Sequence, residues 1–165
     1  MTLTALSGYE FSLFLHITAA VVGLGSTFAE SVMFPVAMKL DPRHLPYVHR
    51  LQLTINQYFA TPALVVMIAT GLYQVGERDD IGMGDLWISA GLGIVIVIGG
   101  LIGAYFIPAD RRLGAMAERE IAAAGDGDLT LSDEYQRGAR TEGIVGAITG
   151  LLLVVAIYLM VVQPS

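Results

Sequence analysis

Residues 86–107 read LWISAGLGIVIVIGGLIGAYFI, an unbroken run with no charged side chain. Spanning the roughly 30 Å hydrocarbon core of a bilayer takes about 20 helical residues, so this run is long enough to cross. In lipid an unpaired backbone amide costs several kcal/mol. A helix satisfies its own amides, whereas an isolated apolar strand does not. No two-residue alternation suggests a barrel. The run therefore predicts a transmembrane helix.

The same test extends outward in both directions. Residues 143–162, GIVGAITGLLLVVAIYLMVV, carry no charge, and neither do residues 51–76. Residues 11–38 contain one intramembrane acid, Glu30, and one histidine, His16. Four spans are predicted, at about 11–38, 51–76, 86–107 and 143–162, in a single integral membrane domain covering residues 1–165. Composition agrees. The chain is 55% apolar and only 15% charged, with a mean hydropathy of +0.65. Soluble domains carry about 25% charged residues. Met1 to Glu10 contain no Lys or Arg, so a signal-peptide basic region is lacking and the first apolar segment is expected to be a retained helix.

Basic residues set the expected orientation. The first connection holds Lys39, Arg43 and Arg50. The third holds Arg111, Arg112, Arg119, Arg137 and Arg140. The second holds only Arg78, among Glu77, Asp79, Asp80 and Asp85. The richly basic side should be cytoplasmic, with both termini on the non-cytoplasmic side of a plasma (bacterial inner) membrane. The fold class is then an all-α, up-down, transmembrane four-helix bundle. A cytoplasmic helical extension is expected between spans three and four, in the connection 108–142. Asp110 to Ala124 has helix-forming composition, Gly125-Asp126-Gly127 breaks it, and Thr130 with Asp133 suggests a capping box that restarts it. Charge-mixed stretches of this kind are usually solvated. Pro42 and Pro46 should end the first helix.

Chemistry is sought where polar groups enter the spans. In the first, His16, Ala20, Gly23, Thr27 and Glu30 follow at spacings of four, three, four and three, so they share one face. That face should look into the bundle, and its small residues admit a close neighbour. The second span offers Gln52, Asn56, Ala63, Met67, Thr70 and Gln74. A short connection makes the two helices antiparallel, which sets His16 level with Thr70 and Glu30 level with Asn56. The intramembrane polar site is thus expected at His16, Thr27, Glu30, Asn56, Thr70 and Gln74. His16 can pack two helices as a neutral imidazole, or can ligate haem or copper with Met67 or Met160 as a second ligand. Glu30 can be a packing hydrogen bond or a proton or cation site, with Asn56, Gln57, Arg50 or Arg140 as partners. Gly99-x-x-x-Gly103 and Gly146-x-x-x-Gly150 favour close contact of spans three and four, or dimerisation.

The run from His16 through Ala20 and Gly23 to Gly25, with Pro62 and Ala69-Thr70-Gly71-Leu72, resembles the pattern of small bacterial four-helix membrane proteins of unknown function. These are distantly similar to the membrane domain of copper-resistance D proteins. The resemblance implies the four-span fold. Copper-resistance D-like proteins commonly carry Trp where Gly23 stands, and further metal ligands that have no counterpart here.

Absent cysteine removes disulfides and thiol nucleophiles, and a net charge of −6 does not suit nucleic acid. No phosphate loop, zinc motif or nucleophile elbow is present. The expected function is a non-enzymatic structural or accessory component of the membrane. The alternatives are a haem- or copper-binding protein using His16 and a small proton- or ion-coupled transporter using Glu30. The expected partners are lipid, a second copy of the chain, or a larger membrane complex. A reporter fused after Ser165 should read as non-cytoplasmic, and one inserted at Gly125 as cytoplasmic. The reverse pattern would refute the orientation.

Overall fold

A computed structural model describes residues 7–164. The first helix begins earlier than its apolar run because Ser7 caps it. The Ser7 hydroxyl accepts from the Glu10 amide at 3.2 Å, and the Glu10 carboxylate accepts from the Ser7 amide at 2.8 Å. This reciprocal box satisfies two amides that the first turn would leave open. Helix α1 then runs Gly8–Lys39. A short 3-10 turn at Pro42–His44 reverses the chain, with Asp41 capping it.

Two further rods are each built from an α-helix, one wide π-helical turn and a second α-helix. The first joins α2 (Leu45–Ile55) to α3 (Thr61–Gly76) through Asn56–Ala60. The other joins α4 (Leu86–Leu101) to α5 (Ile107–Ala124) through Ile102–Phe106. In each, a proline follows the wide turn: Pro62 in α3 and Pro108 in α5. Proline lacks an amide proton, and its ring collides with the carbonyl four residues back. The wide turn relieves this collision, since the Thr61 amide reaches back to the Asn56 carbonyl and that of Ile107 to Ile102. The rods therefore pass through their prolines without ending. Helix α6 (Asp133–Val162) completes the chain.

Four helical rods are long and apolar enough to cross a membrane, as expected, and among the described residues there is no strand. Helix α1 packs on α3, α4 on α6, and α2 on α5. Ala19, Ala63, Leu64, Met67, Val95, Ile98 and Leu153 fill the middle of the bundle. A second core lies at the end bearing the α1–α2 turn and the α5–α6 hairpin, here termed the basic end. It holds Leu45, Val48, Leu113, Met116, Ala117, Tyr135 and Ala139. Large apolar side chains face outward along the rods, with Val21 68% and Val161 77% exposed. Such a surface is suited to lipid and not to water.

The connection 108–142 corrects two expectations. It is not simply a solvated connector, because Leu113, Ala117 and Tyr135 are fully buried against α2. Arg43 also fastens its loop, donating to the Gly125 and Gly127 carbonyls at 2.7 and 2.8 Å. The restart cap is Ser132, whose hydroxyl accepts from the Tyr135 amide, and not Thr130. Of the two roles expected of the glycine pairs, close contact of spans three and four is corrected. Gly103, Gly146 and Gly150 face open space, and Gly99 faces Leu64 of α3, so none draws α4 and α6 together.

Gly23 is where small size matters. A β-carbon built there would stand 2.9 Å from the Ala63 β-carbon. The helix backbones on either side would have to part. Gly23→Val should lower stability by about 1–3 kcal/mol, whereas Gly25→Ala, which meets nothing within 4 Å, should be neutral or slightly stabilising. Thermal melts of both variants in one detergent decide this.

Candidate functional site

Two arrangements of polar side chains occupy opposite ends of the bundle. At the end where α1 begins and α6 finishes, His16 of α1 meets α3. Its Nδ1 lies 2.9 Å from Thr70 Oγ1. The Thr70 hydroxyl proton is already committed, because Oγ1 donates to the Val66 carbonyl at 2.6 Å. Oγ1 must then accept from His16, so Nδ1 carries the ring proton and Nε2 is the ring's acceptor nitrogen. Gly71 lets the ring lie close, since a β-carbon there would come within 3.3 Å of His16 Cε1. Ser12 donates to the Thr70 carbonyl, and Gln74 to Ser12. His16, Thr70 and Gln74 are therefore brought together in the expected register.

His16 lines a cavity of about 600 Å³ between the rods. Met67 and Met160 line the same cavity, with Trp87, Gly91, Leu153 and other mainly apolar neighbours. The three candidate ligands converge on one space. Helices α1 and α3 make the wall with His16 and Met67. Met160 belongs to α6, which pairs with α4. Arg78, Gln74 and Gln163 supply polar groups to the lining. Arg78 donates to Asp80 at 3.0 Å, and this hydrogen bond holds the Asp80 carboxyl below the ordinary carboxylate range.

The basic end holds the second arrangement, most of it not anticipated. His49 of α2 is 1% exposed, Asp110 of α5 2%, and Glu142 of α6 4%. His49 Nδ1 is 3.1 Å from Asp110 Oδ1, and its Nε2 is 2.8 Å from the Tyr135 hydroxyl. With Asp110 accepting, Nδ1 donates and Nε2 accepts from Tyr135. Asp110 Oδ2 and both carboxylate oxygens of Glu142 meet no donor at hydrogen-bond geometry, and the two acid side chains face each other with the Asn56 side chain against Asp110. Gln52 and Asn56, one and two turns beyond His49, are buried on the same α2 face.

Three members of the expected site, Thr27, Glu30 and Asn56, lie apart from His16. Thr27 bonds back to the Gly23 carbonyl of its own helix. Glu30 is half-buried with Oε1 unpartnered, and its electrostatic neighbours are Asp110 and Glu142. Arg50 does not reach it, being paired with Glu118 at 3.1 Å. Asn56 is buried, and its carbonyl accepts from Thr61. A sequence signal for the missed residues does exist. Asp110 shares a stripe with Leu113 and Ala117, and Glu142 with Tyr135 and Ala139, at helical spacing.

The chain belongs to the family described as predicted integral membrane protein (DUF2269), whose model matches residues 11–164. No curated protein and no solved structure matches it.

Tyr135 holds His49 by the ring nitrogen opposite Asp110. Tyr135→Phe removes the only donor recorded for His49 Nε2 among the described residues and leaves a buried acceptor unpaired. The expected loss is about 1–3 kcal/mol. A melt unchanged from that of the parent protein would contradict the hydrogen bond.

Proposed function

Starting from that membership, we propose that the chain is a haem-binding membrane protein of electron-carrying type, with its haem in the cavity between the rods. The single observation carrying this reading is the convergence of His16, Met67 and Met160 on one mainly apolar space of about 600 Å³. A haem is a flat apolar ring with two carboxylates, and His–Met ligation of its iron is a recognised electron-transfer arrangement. The state of His16 supports the reading. A metal-binding imidazole usually donates its other ring nitrogen to a fixed acceptor, which sets the tautomer. Thr70 provides that acceptor and leaves Nε2 available. Polar Arg78 and Gln163 suit the carboxylate edge.

Copper is the lesser candidate for the same residues, since a single ion bridging His16 and a methionine needs no such volume. In either case the chain supplies a redox group to a membrane partner. With the basic end cytoplasmic, the cavity lies towards the outer face of a plasma membrane.

Detergent-purified protein, expressed with haem supplied, should show a Soret band and about one haem per chain. His16→Ala should abolish the band. Thr70→Val should keep the fold and weaken haem retention by about 10–100-fold, the usual cost of losing such an orienting partner. Met160→Ala and Met67→Ala identify the second ligand by which of them changes the reduced spectrum. A colourless parent protein, or a His16→Ala variant with an unchanged spectrum, rejects the proposal.

A further inference from the structure

At the basic end, far from His16, the buried polar groups outnumber their partners. Glu30, Asp110 and Glu142 converge from α1, α5 and α6. The groups facing them are His49 and Asn56 from the second rod, Tyr135 from α6, and Arg112 from α5, whose side chain lies at the surface. No buried Lys or Arg neutralises the set among the described residues. Buried charges survive when they are paired or bind a metal. Three carboxylate oxygens that meet no donor at hydrogen-bond geometry, on facing side chains 2% and 4% exposed, are open as ligand atoms.

We infer that His49, Asp110 and Glu142 bind one divalent first-row transition-metal ion, clamping α2, α5 and α6 together. One ligand atom from each lies within 4.8 Å of the others. Two ligands about 2.0–2.2 Å from one ion, at tetrahedral or octahedral angles, stand roughly 3.0–3.5 Å apart. The 3.1 Å between His49 Nδ1 and Asp110 Oδ1 matches that edge. The ion takes the place of the proton on Nδ1. The proton moves to Nε2, which donates to the Tyr135 oxygen instead of accepting from it. Tyr135 can serve either tautomer because a hydroxyl both donates and accepts. It thus orients the ring in the metal-bound state as well.

The donor set selects the class of ion. An imidazole with two carboxylates suits zinc, iron or manganese. Calcium prefers six to eight oxygens, and magnesium keeps several waters. No thiolate is available for a copper(I) or iron–sulfur site, since the chain has no cysteine. Asn56, whose side chain lies against Asp110, Glu30, at the half-exposed margin, and Gln52, whose Oε1 lacks a partner, are protein groups able to extend the coordination.

The full chain, purified in detergent and stripped with a chelator, is titrated with zinc chloride. Uptake of one zinc per chain and a rise in melting temperature are expected. Asp110→Asn and Glu142→Gln should each weaken uptake by at least about tenfold, since loss of even an outer partner costs 10–100-fold. His44→Ala, which alters an exposed histidine nearby, and His16→Ala should leave uptake unchanged. The second of these separates the site from any haem. Because a variant could fail to fold, zinc-edge X-ray absorption of the parent protein provides an independent test. Imidazole scattering together with oxygens near about 2.0–2.2 Å is expected. Failure of stoichiometric uptake, equal uptake by the Asp110 and Glu142 variants, or an edge spectrum without imidazole overturns the proposal.

Discussion

Hydrocarbon offers no hydrogen bonds, and the consequences of that run through the whole molecule. Every backbone amide at membrane depth must find its partner within the chain, and helices are the local solution. The two rods that meet a proline at a wide turn show how firmly this holds. Pro62 and Pro108 each remove one amide, and a proline inside a helix in water commonly kinks or ends it. Instead a single wide turn precedes each proline, the Thr61 and Ile107 amides reach back one residue further, and the rod continues. Both wide turns lie beside polar chemistry: Asn56 opens the first, and Asp110 follows the second within one turn. Wide turns of this kind often mark functional places in helices.

The same lack of solvent sorts the side chains. At the His16 end each polar group inside the bundle has found a neighbour: His16 with Thr70, Thr70 with Val66, Ser12 with the Thr70 carbonyl. That chain of bonds determines which imidazole nitrogen carries the proton, a detail invisible in a list of residues. At the basic end the balance is different. His49 is satisfied on both nitrogens, yet the acids around it are not. Carboxyl groups buried without donors must hold protons or a cation.

These two ends are joined by ordinary packing. Gly23 against Ala63 brings α1 and α3 close enough for His16 to reach Thr70. At the other end, Leu113, Ala117 and Tyr135 hold the α5–α6 hairpin against α2, and Arg43 ties the hairpin's loop to the α1–α2 turn. The acids are buried by that docking, because α5 and α6 on their own would expose Asp110 and Glu142 to water.

The sequence alone determined the four spans, because length and the absence of charge are local properties that a bilayer tests directly. It also determined the polar stripe of α1 and its register with α3, since helical spacing and a short connection leave little freedom. His16 opposite Thr70 followed from those two facts. The site at His49, Asp110 and Glu142 was decided only by the tertiary structure. Its members lie about 30 to 60 residues apart in stretches where Arg111, Glu118 and Arg140 are equally charged and remain exposed. Helical periodicity can group Asp110 with Leu113 and Glu142 with Tyr135. It cannot say whether that stripe meets water or another helix, because burial there depends on the docking of three separate elements.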